Sequence, residues 1–337
     1  MKAVLPIRNG YELSVVVALL VAALAAPFFL YPLFLMKVYY LALFAIAFSM
    51  LFGFGGLLSF GHCAYFGAAA YLTGHAIKIW HFTPELGILF GVACGTVLGL
   101  ACGAMAIRRS GIYFAMITFA LAEMVYFLAN RLPFTGGENG LTQVPRGVFL
   151  GLFDLKNEMT MYYVTLAVFM LGFFVFVRAI RSPFGLALRA IKQNETRAAS
   201  LGYKAAGFKL TAFALSAFLA SLAGALKVVV IEFASLSDVH WHLGGQAILM
   251  ALLGGVGTFL GPVLGAVIVL LLEDYLAFLG QWVTFITGAI FVVCVLTFRR
   301  GILGELPDVL ARLRNRRAGR ARADGERSLA VTDGATS

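Results

Sequence analysis

Apolar residues fall in long unbroken blocks, and the polar residues gather in the gaps between them. The blocks cover about 13–30, 34–52, 86–106, 112–130, 161–180, 208–231, 263–279 and 282–298. A bilayer core about 30 Å thick is crossed by roughly 20 apolar residues in a helix. Each block is therefore a candidate span, and no block alternates as a barrel strand would.

Two further stretches are apolar but glycine-rich. Residues 53–61, GFGGLLSFG, carry Gly53, Gly55, Gly56 and Gly61, and apolar sequence continues through 64–77. Residues 244–262 carry Gly244, Gly245, Gly254, Gly255, Gly257 and Gly261 and end at Pro262. Each helical glycine costs about 1 kcal/mol against alanine, yet these stretches are too apolar for exposed loops. They predict broken or re-entrant elements, which a membrane tolerates where the backbone faces protein or a cavity. One lies in each half of the chain, the placement of paired broken helices in repeat-built transporters. GFGGLLSFG and LGGVGTFLG (253–261) align glycines at Gly55/Gly255 and Gly61/Gly261. The competing reading is that small residues only let membrane helices pack closely.

Residues 182–202 differ in character. Ser182 suits a helix N-cap, Pro183 the first helical position and Gly202 the C′ position. Phe184, Leu188, Ile191, Ala198 and Leu201 share an apolar stripe, with Arg189, Lys192, Asn194 and Arg197 on the other faces. The pattern predicts one amphipathic helix of 19 residues, about 28 Å long, outside the bilayer. Residues 131–160 form a polar loop of zero net charge.

The fold class expected is all-α, a polytopic transmembrane bundle of about 8–10 spans with glycine-rich broken elements. Composition agrees: hydrophobic residues make up 61% and charged residues 12% of the 337, and mean hydropathy is +0.92. A soluble domain has about 45–50% and about 25%, so soluble globular and disordered chains are excluded.

The net charge of +10 is concentrated. Residues 178–209 hold seven bases (Arg178, Arg181, Arg189, Lys192, Arg197, Lys204, Lys209) against Glu195, and nine bases from Arg299 onward face five acids. Basic segments beside apolar spans mark the cytoplasmic side. That placement argues against nucleic-acid binding and puts both termini in the cytoplasm. The membrane permease domain is set at 1–310, and the basic tail at 311–337 has a disordered composition.

The chemistry is sparse. Cys63, Cys94, Cys102 and Cys294 sit in apolar segments without metal-ligand spacing. His240-Trp241-His242 is a weak metal candidate, and no metal site is expected. No phosphate loop, HExxH or GxSxG occurs, so no catalytic residue is assigned. Glu123 lies within a span, and Glu273 and Asp274 lie near the end of another. These acids are candidates for function by default, though they are few for a proton relay. A transport subunit energised by a separate protein and a self-contained secondary transporter both fit these residues.

The segment 182–202 resembles the cytoplasmic coupling region of bacterial ABC importer permeases, with Glu195, Ala198, Ala199 and Gly202 at its acid, small and glycine positions. GLLSFGHCAYFGAAAY (56–71), RRSGIYFAMITFALAE (108–123), FTGGENGL (134–141), SPFGLALRAIKQNETRAASLGY (182–203) and LLGGVGTFLGPVLGA (252–266) together resemble the LivM-type permeases of branched-chain amino acid importers. Ser59-Phe60-Gly61-His62 stands where that family often has Asp-Leu-Gly-His. Arg299-Arg300-Gly301 stands where Pro-Arg-Gly is common.

The resemblance implies a bacterial inner-membrane permease beside a second, LivH-like permease. Two cytoplasmic ATPase subunits would bind the ATP, and a periplasmic solute-binding protein would deliver substrate. No cofactor is then expected in this chain. Branched-chain or other hydrophobic amino acids are the expected cargo. Urea or amides, and an ATPase-independent transporter, are the alternatives. Under this reading Glu195, Ala198, Ala199 and Gly202 couple to the ATPases. Gly53, Gly55, Gly56, Gly61, His62, Gly254, Gly255 and Gly257 line the path or meet substrate. Helix N-termini or free backbone groups at the glycine breaks are the expected contacts for a zwitterion.

Overall fold

The computed structural model describes residues 21–149, 151, 153–280, 282–297 and 301–303. The expected first span is described from residue 21 only, as the end of a helix and a 3-10 turn at Ala26–Phe28. The tail at 311–337 lies outside the described residues.

The bundle is helical throughout. In chain order its helices are α1 (Pro32–Ser49), α2 (His62–Lys78), α3 (Pro84–Ala106), α4 (Ile112–Arg131) and α5 (Glu158–Arg181). Then follow α6 (Pro183–Gln193), α7 (Glu195–Ser200), α8 (Ala205–Ile231), α9 (Trp241–Gly254), α10 (Gly261–Leu276) and α11 (Trp282–Thr297). Among the described residues five are long and apolar enough to cross a membrane: α1 with its extension to Phe54, α3, α4, α5 and α8. Helices α2, α9, α10 and α11 have 17, 14, 16 and 16 residues. At 1.5 Å per residue these reach about 21–26 Å, short of a full bilayer core. The first glycine-rich stretch, 53–61, is a π turn and an irregular link before α2, as its sequence predicts. The second is broken only at 255–260: Gly244, Gly245 and Gly254 lie within the regular helix α9, against the expectation, because close packing of small residues onto α10 favours the helix there.

Side-chain contacts give each helix its direction. Tyr39 in the first half of α1 and Tyr162 near the start of α5 share a hydroxyl bond of 2.7 Å, and Phe54, in the extension of α1, meets Phe176 toward the other end of α5. These two helices run the same way. Helix α2 returns, and Lys78 at its end donates to the Thr142 carbonyl of the polar loop at 2.7 Å. Helix α8 also ends at that loop, where Arg146 donates to the Val230 carbonyl. Arg108–Arg109, α6, α7 and Gly301, which abuts Gly255, therefore share the end opposite the loop. Arg108–Arg109 and the basic residues of 178–209 fall on one side of the bundle, as their spacing between spans predicts.

Helix α8 is the centre, buried along most of its length against α1, α2 and α3. Glycines set the spacing. Gly87, Gly91, Gly95, Gly99 and Gly103 recur every fourth residue on α3, so they form one stripe. A methyl group on these would strike, in order, Ile77, Thr73, Ser221, Ala217 and Phe213. The stripe lets the α3 backbone lie directly on α2 and α8. Lipid tails are as apolar as leucine, so this close van der Waals packing holds membrane helices together. Gly224 of α8 likewise admits the Phe66 carbonyl of α2.

At the loop end, the 132–157 segment and the 232–240 linker are sewn together. Leu141 and Ala234 exchange backbone bonds of 2.8 and 3.0 Å, and Arg146 pairs with Glu232 at 2.8 Å. Lys227 and Asp238 form a buried ion pair at 2.6 Å. Lys227 also donates to the Phe233 carbonyl, and Asp238 accepts from the Ser235 amide. The loop itself holds a two-strand hairpin, β1 (Val148–Phe149) with β2 (Phe153–Asp154).

Residues 182–202 are not the single helix expected. Asn194 is extended (φ −158°, ψ 103°) and separates α6 from α7, and its side chain accepts from the Arg197 amide to cap α7. The 11 residues of α6 make a lever of about 16 Å rather than 28 Å. Ser182 occupies the N-cap position, but its hydroxyl donates back to the Ala179 carbonyl at 2.7 Å. Pro183 does open α6. Gly202 has φ +89°. Its amide and that of Tyr203 donate to the Ala199 and Ala198 carbonyls, a Schellman closure of α7.

Candidate functional site

The first glycine break begins where α1 widens into a π turn at Met50–Phe54. Gly56, at φ +71°, then turns the chain back on itself. The amides of Gly56 and Leu57 donate to the Phe52 and Leu51 carbonyls. Beyond the turn, side chains satisfy the irregular backbone. The Phe60 amide donates to Thr118 Oγ1 of α4, and the Gly61 amide donates to Ser59 Oγ, both at 3.2 Å.

His62 opens α2 and is buried. Its Nε2 lies 2.7 Å from Ser216 Oγ of α8, and the Ser216 hydroxyl donates to the Ala47 carbonyl at 2.6 Å. Its Nδ1 lies 3.2 Å from the Ser59 carbonyl, so both ring nitrogens have a polar partner. His62 thus ties the break to both α8 and α1.

The second break is the α9–α10 turn. Gly255 has φ +120° and Gly257 φ +80°. Thr258 Oγ1 donates to the Gly255 carbonyl and accepts from the Gly261 amide, at 2.8 and 3.0 Å. The two breaks touch: a methyl group at Gly53 would stand 2.8 Å from the Gly257 nitrogen. Phe259 extends this contact to Phe54 and Phe176, with centroids 5.9 and 6.1 Å away, and Arg181 lies over its ring at 5.0 Å.

Helix α6 seats against this junction. Leu188 is fully buried and close to Gly55. The Arg189 guanidinium lies over the Phe54 ring at 5.1 Å. Lys192 Nζ donates to the Gly53 carbonyl at 2.6 Å, and the Lys192 methylenes fill the space beside Gly56. Burial holds both Lys192 and Arg189 below their ordinary pKa values.

The path residues picked from the sequence therefore cluster. Gly53, Gly55, Gly56 and Gly257 meet at one junction, with Gly255 in the same turn as Gly257. Gly61 and His62 lie further along the first break. Gly254 packs α9 onto α10 at Gly261 and Gly265. The amides of Gly61 and Gly261 already have side-chain acceptors, so these helix starts present fewer free donors than expected. Glu195 pairs with Lys209 of α8 at 2.7 Å. Ala198 is buried, whereas Ala199 and Gly202 are exposed beside the exposed apolar residues Leu201 and Tyr203.

Of the span acids, Glu273 accepts from Gln246 at 2.5 Å, and Glu123 Oε1 is buried without a hydrogen-bond partner among the described residues. His240 accepts from the His242 amide at the start of α9. The sequence reading missed Lys192 as a link, the α3 stripe and the Lys227–Asp238 pair. The stripe was visible as a strict four-residue repeat.

Residues 30–295 match the family described as branched-chain amino acid transport system / permease component. The match covers more than three quarters of the chain. The chain belongs to this family. Among relatives, the high-affinity branched-chain amino acid transport system permease protein LivM of Escherichia coli K12 is 27% identical over 252 residues, 68% of this chain and 58% of that protein. LivM of Salmonella typhimurium LT2 matches to the same extent. The probable branched-chain amino acid transport permease protein LivM of Methanocaldococcus jannaschii is 23% identical over 245 residues, 66% of this chain and 70% of that one. The chain thus spans 58% of the length of the two enterobacterial relatives. No solved structure matches it. As a member of this permease family with five long apolar helices, the chain is a multi-pass membrane protein.

Proposed function

We propose that this chain is the permease subunit of an ATP-driven importer of branched-chain or other hydrophobic amino acids in the bacterial inner membrane. A second homologous permease completes the path. Two ATPase subunits bind ATP on the side of α6 and α7, and a periplasmic binding protein delivers substrate to the loop end. The basic residues on the α6–α7 side support the reading that this side, and with it both termini, faces the cytoplasm.

One observation carries the reading: α6 lies against the point where both glycine breaks meet. A force on the exposed surface of α6 and α7 has a short packed route to both irregular turns. Exposed Leu186, Leu201 and Tyr203 give that surface apolar anchors for a partner's groove.

The test is a detergent pull-down with the full chain, followed by uptake in proteoliposomes with leucine and urea as competing substrates. Recovery of an ATPase pair and a second permease, with ATP-dependent leucine uptake, is the expected result. Uptake by the chain alone without ATP would overturn the reading, and uptake of urea in place of leucine would change the substrate.

A further inference from the structure

We infer that Lys192 is the positioning residue through which movement of α6 reaches the glycine break. Its ammonium holds the Gly53 carbonyl at the end of the α1 extension, and import depends on that hold. The inference rests on the permease reading above.

The carbonyls that end a helix lack internal partners, and α1 ends in a widened turn. Lys192 Nζ donates to the Gly53 carbonyl at 2.6 Å and lies 3.5 Å from the Phe52 carbonyl. A cation is favoured at this end of a helix by the backbone dipoles. Among the described residues Lys192 is the one α6 side chain that hydrogen-bonds to the extension of α1.

Lys192 is exposed overall, but both its stem and its ammonium meet the break. A methyl group at Gly56 would stand 2.8 Å from Lys192 Cγ, so the lysine stem occupies the place of a side chain at the turn. Gly53, whose carbonyl it holds, is the residue that abuts Gly257. One side chain therefore touches the first break and sits one residue from the second. Leu188 lies near Gly55 and Arg189 over the Phe54 ring, and such contacts slide. A bond to a fixed carbonyl transmits a pull as well as a push. Withdrawal of α6 would draw on Gly53 and loosen its contact with Gly257.

The experiment uses the full chain in its captured assembly, in proteoliposomes with the binding protein. Radiolabelled leucine imported per ATP hydrolysed is measured for Lys192→Met, Lys192→Arg and Lys192→Cys. A charge-assisted hydrogen bond is of a size to change an equilibrium by about tenfold or more. Lys192→Met is expected to lower the import ratio at least about tenfold, and Lys192→Arg to keep it. Treating Lys192→Cys with an aminoethyl thiosulfonate rebuilds a cationic side chain and is expected to restore import, whereas the methyl reagent does not. A structural filler would respond to both reagents alike.

A second measurement needs no transport. In the full chain in detergent, hydrogen exchange at the Gly56 and Leu57 amides should quicken in Lys192→Met, with the amides of α8 unchanged. Unaltered import in Lys192→Met, equal effects of the two reagents, or unchanged exchange at the break would each overturn the inference. If the parent assembly imports no leucine, the permease reading fails, and the exchange result still decides whether Lys192 holds the break.

Discussion

Gly53→Ala tests whether the two breaks form one packed junction. The new methyl group would meet the Gly257 nitrogen at 2.8 Å, Ser49 Oγ at 3.1 Å and the Gly257 Cα at 3.2 Å. Two of these three are backbone atoms and cannot rotate away. To regain an ordinary contact of 3.4 Å, the α9–α10 turn must retreat by about 0.6 Å, and overpacking of this kind costs about 1–3 kcal/mol. Gly257→Ala approaches the same contact differently. Its methyl group would meet only the Gly53 carbonyl, at 3.6 Å, but φ is +80°, and a left-handed conformation costs about 1–2 kcal/mol for an ordinary residue. Gly245→Ala is the control, since nothing lies within 4 Å of its methyl group and alanine favours the α9 helix by about 0.5–1 kcal/mol. Denaturant unfolding of the full chain in detergent, read by tryptophan fluorescence, should show losses for Gly53→Ala and Gly257→Ala and none for Gly245→Ala. If Gly53→Ala unfolds like Gly245→Ala, the two breaks are not in contact and the junction is wrong.

Other consequences can be checked separately. Gly99→Ala should destabilise the α3–α8 contact by about 1–3 kcal/mol, and Ala217→Gly in the same chain should return most of the loss in the same unfolding assay. Lys227→Met or Asp238→Asn alone should cost about 3–5 kcal/mol by stranding a buried charge, while Lys227→Met with Asp238→Leu should cost less. Import should fall at alkaline pH with a midpoint below the ordinary lysine value, because burial lowers Lys192 and only the charged form donates to Gly53 as a cation. Arg189, over Phe54, is the neighbouring charge, and Lys192→Arg should move that limb upward in pH-dependent uptake. Asn194→Ala should weaken α7 by about 1 kcal/mol through loss of its cap, seen as faster hydrogen exchange in 195–200.

The bundle was legible because bilayer thickness imposes a length on every apolar block, and because charge can gather only between spans. The break at 53–61 and the turn at 255–260 were legible because glycine and apolarity conflict: a helix is disfavoured, and an exposed loop is disfavoured too. The same rule misread 244–254, where Gly244, Gly245 and Gly254 sit in the regular helix α9. The division of α6 from α7 was not read, although its signal was present. Asn194 precedes Glu195, and an asparagine followed by an acid is a strong helix start. Placing Asn194 on a polar face treated it as a surface residue. Its side chain instead competes for the backbone, the general reason asparagine ends helices. The ion pairs of Lys227 and Lys209 were hidden for another reason. Both lysines lie near span ends, where a long side chain ordinarily reaches water, and only the packed linker and α7 reveal the acids that meet them.

Contact between the breaks was the least legible feature, and it changes how the glycines divide. Their likeness in sequence matched Gly55 with Gly255, but the residues that touch are Gly53 and Gly257, brought together by the arrangement of α1, α9 and α10. Gly55 and Gly255 are not conformational equivalents either, with φ −89° and +120°. Glycines at negative φ with blocked methyl positions, such as Gly91, Gly95, Gly99, Gly224 and Gly254, are needed for approach between helices. Any movement there separates whole helices. Gly56, Gly255 and Gly257 have positive φ and lie in turns, where a small torsional change redirects the chain without parting a helix pair. A motion delivered by α6 is therefore absorbed most easily at 55–57 and 255–257. Lys192 and Leu188 reach the first of these turns directly, and the second only through Gly53.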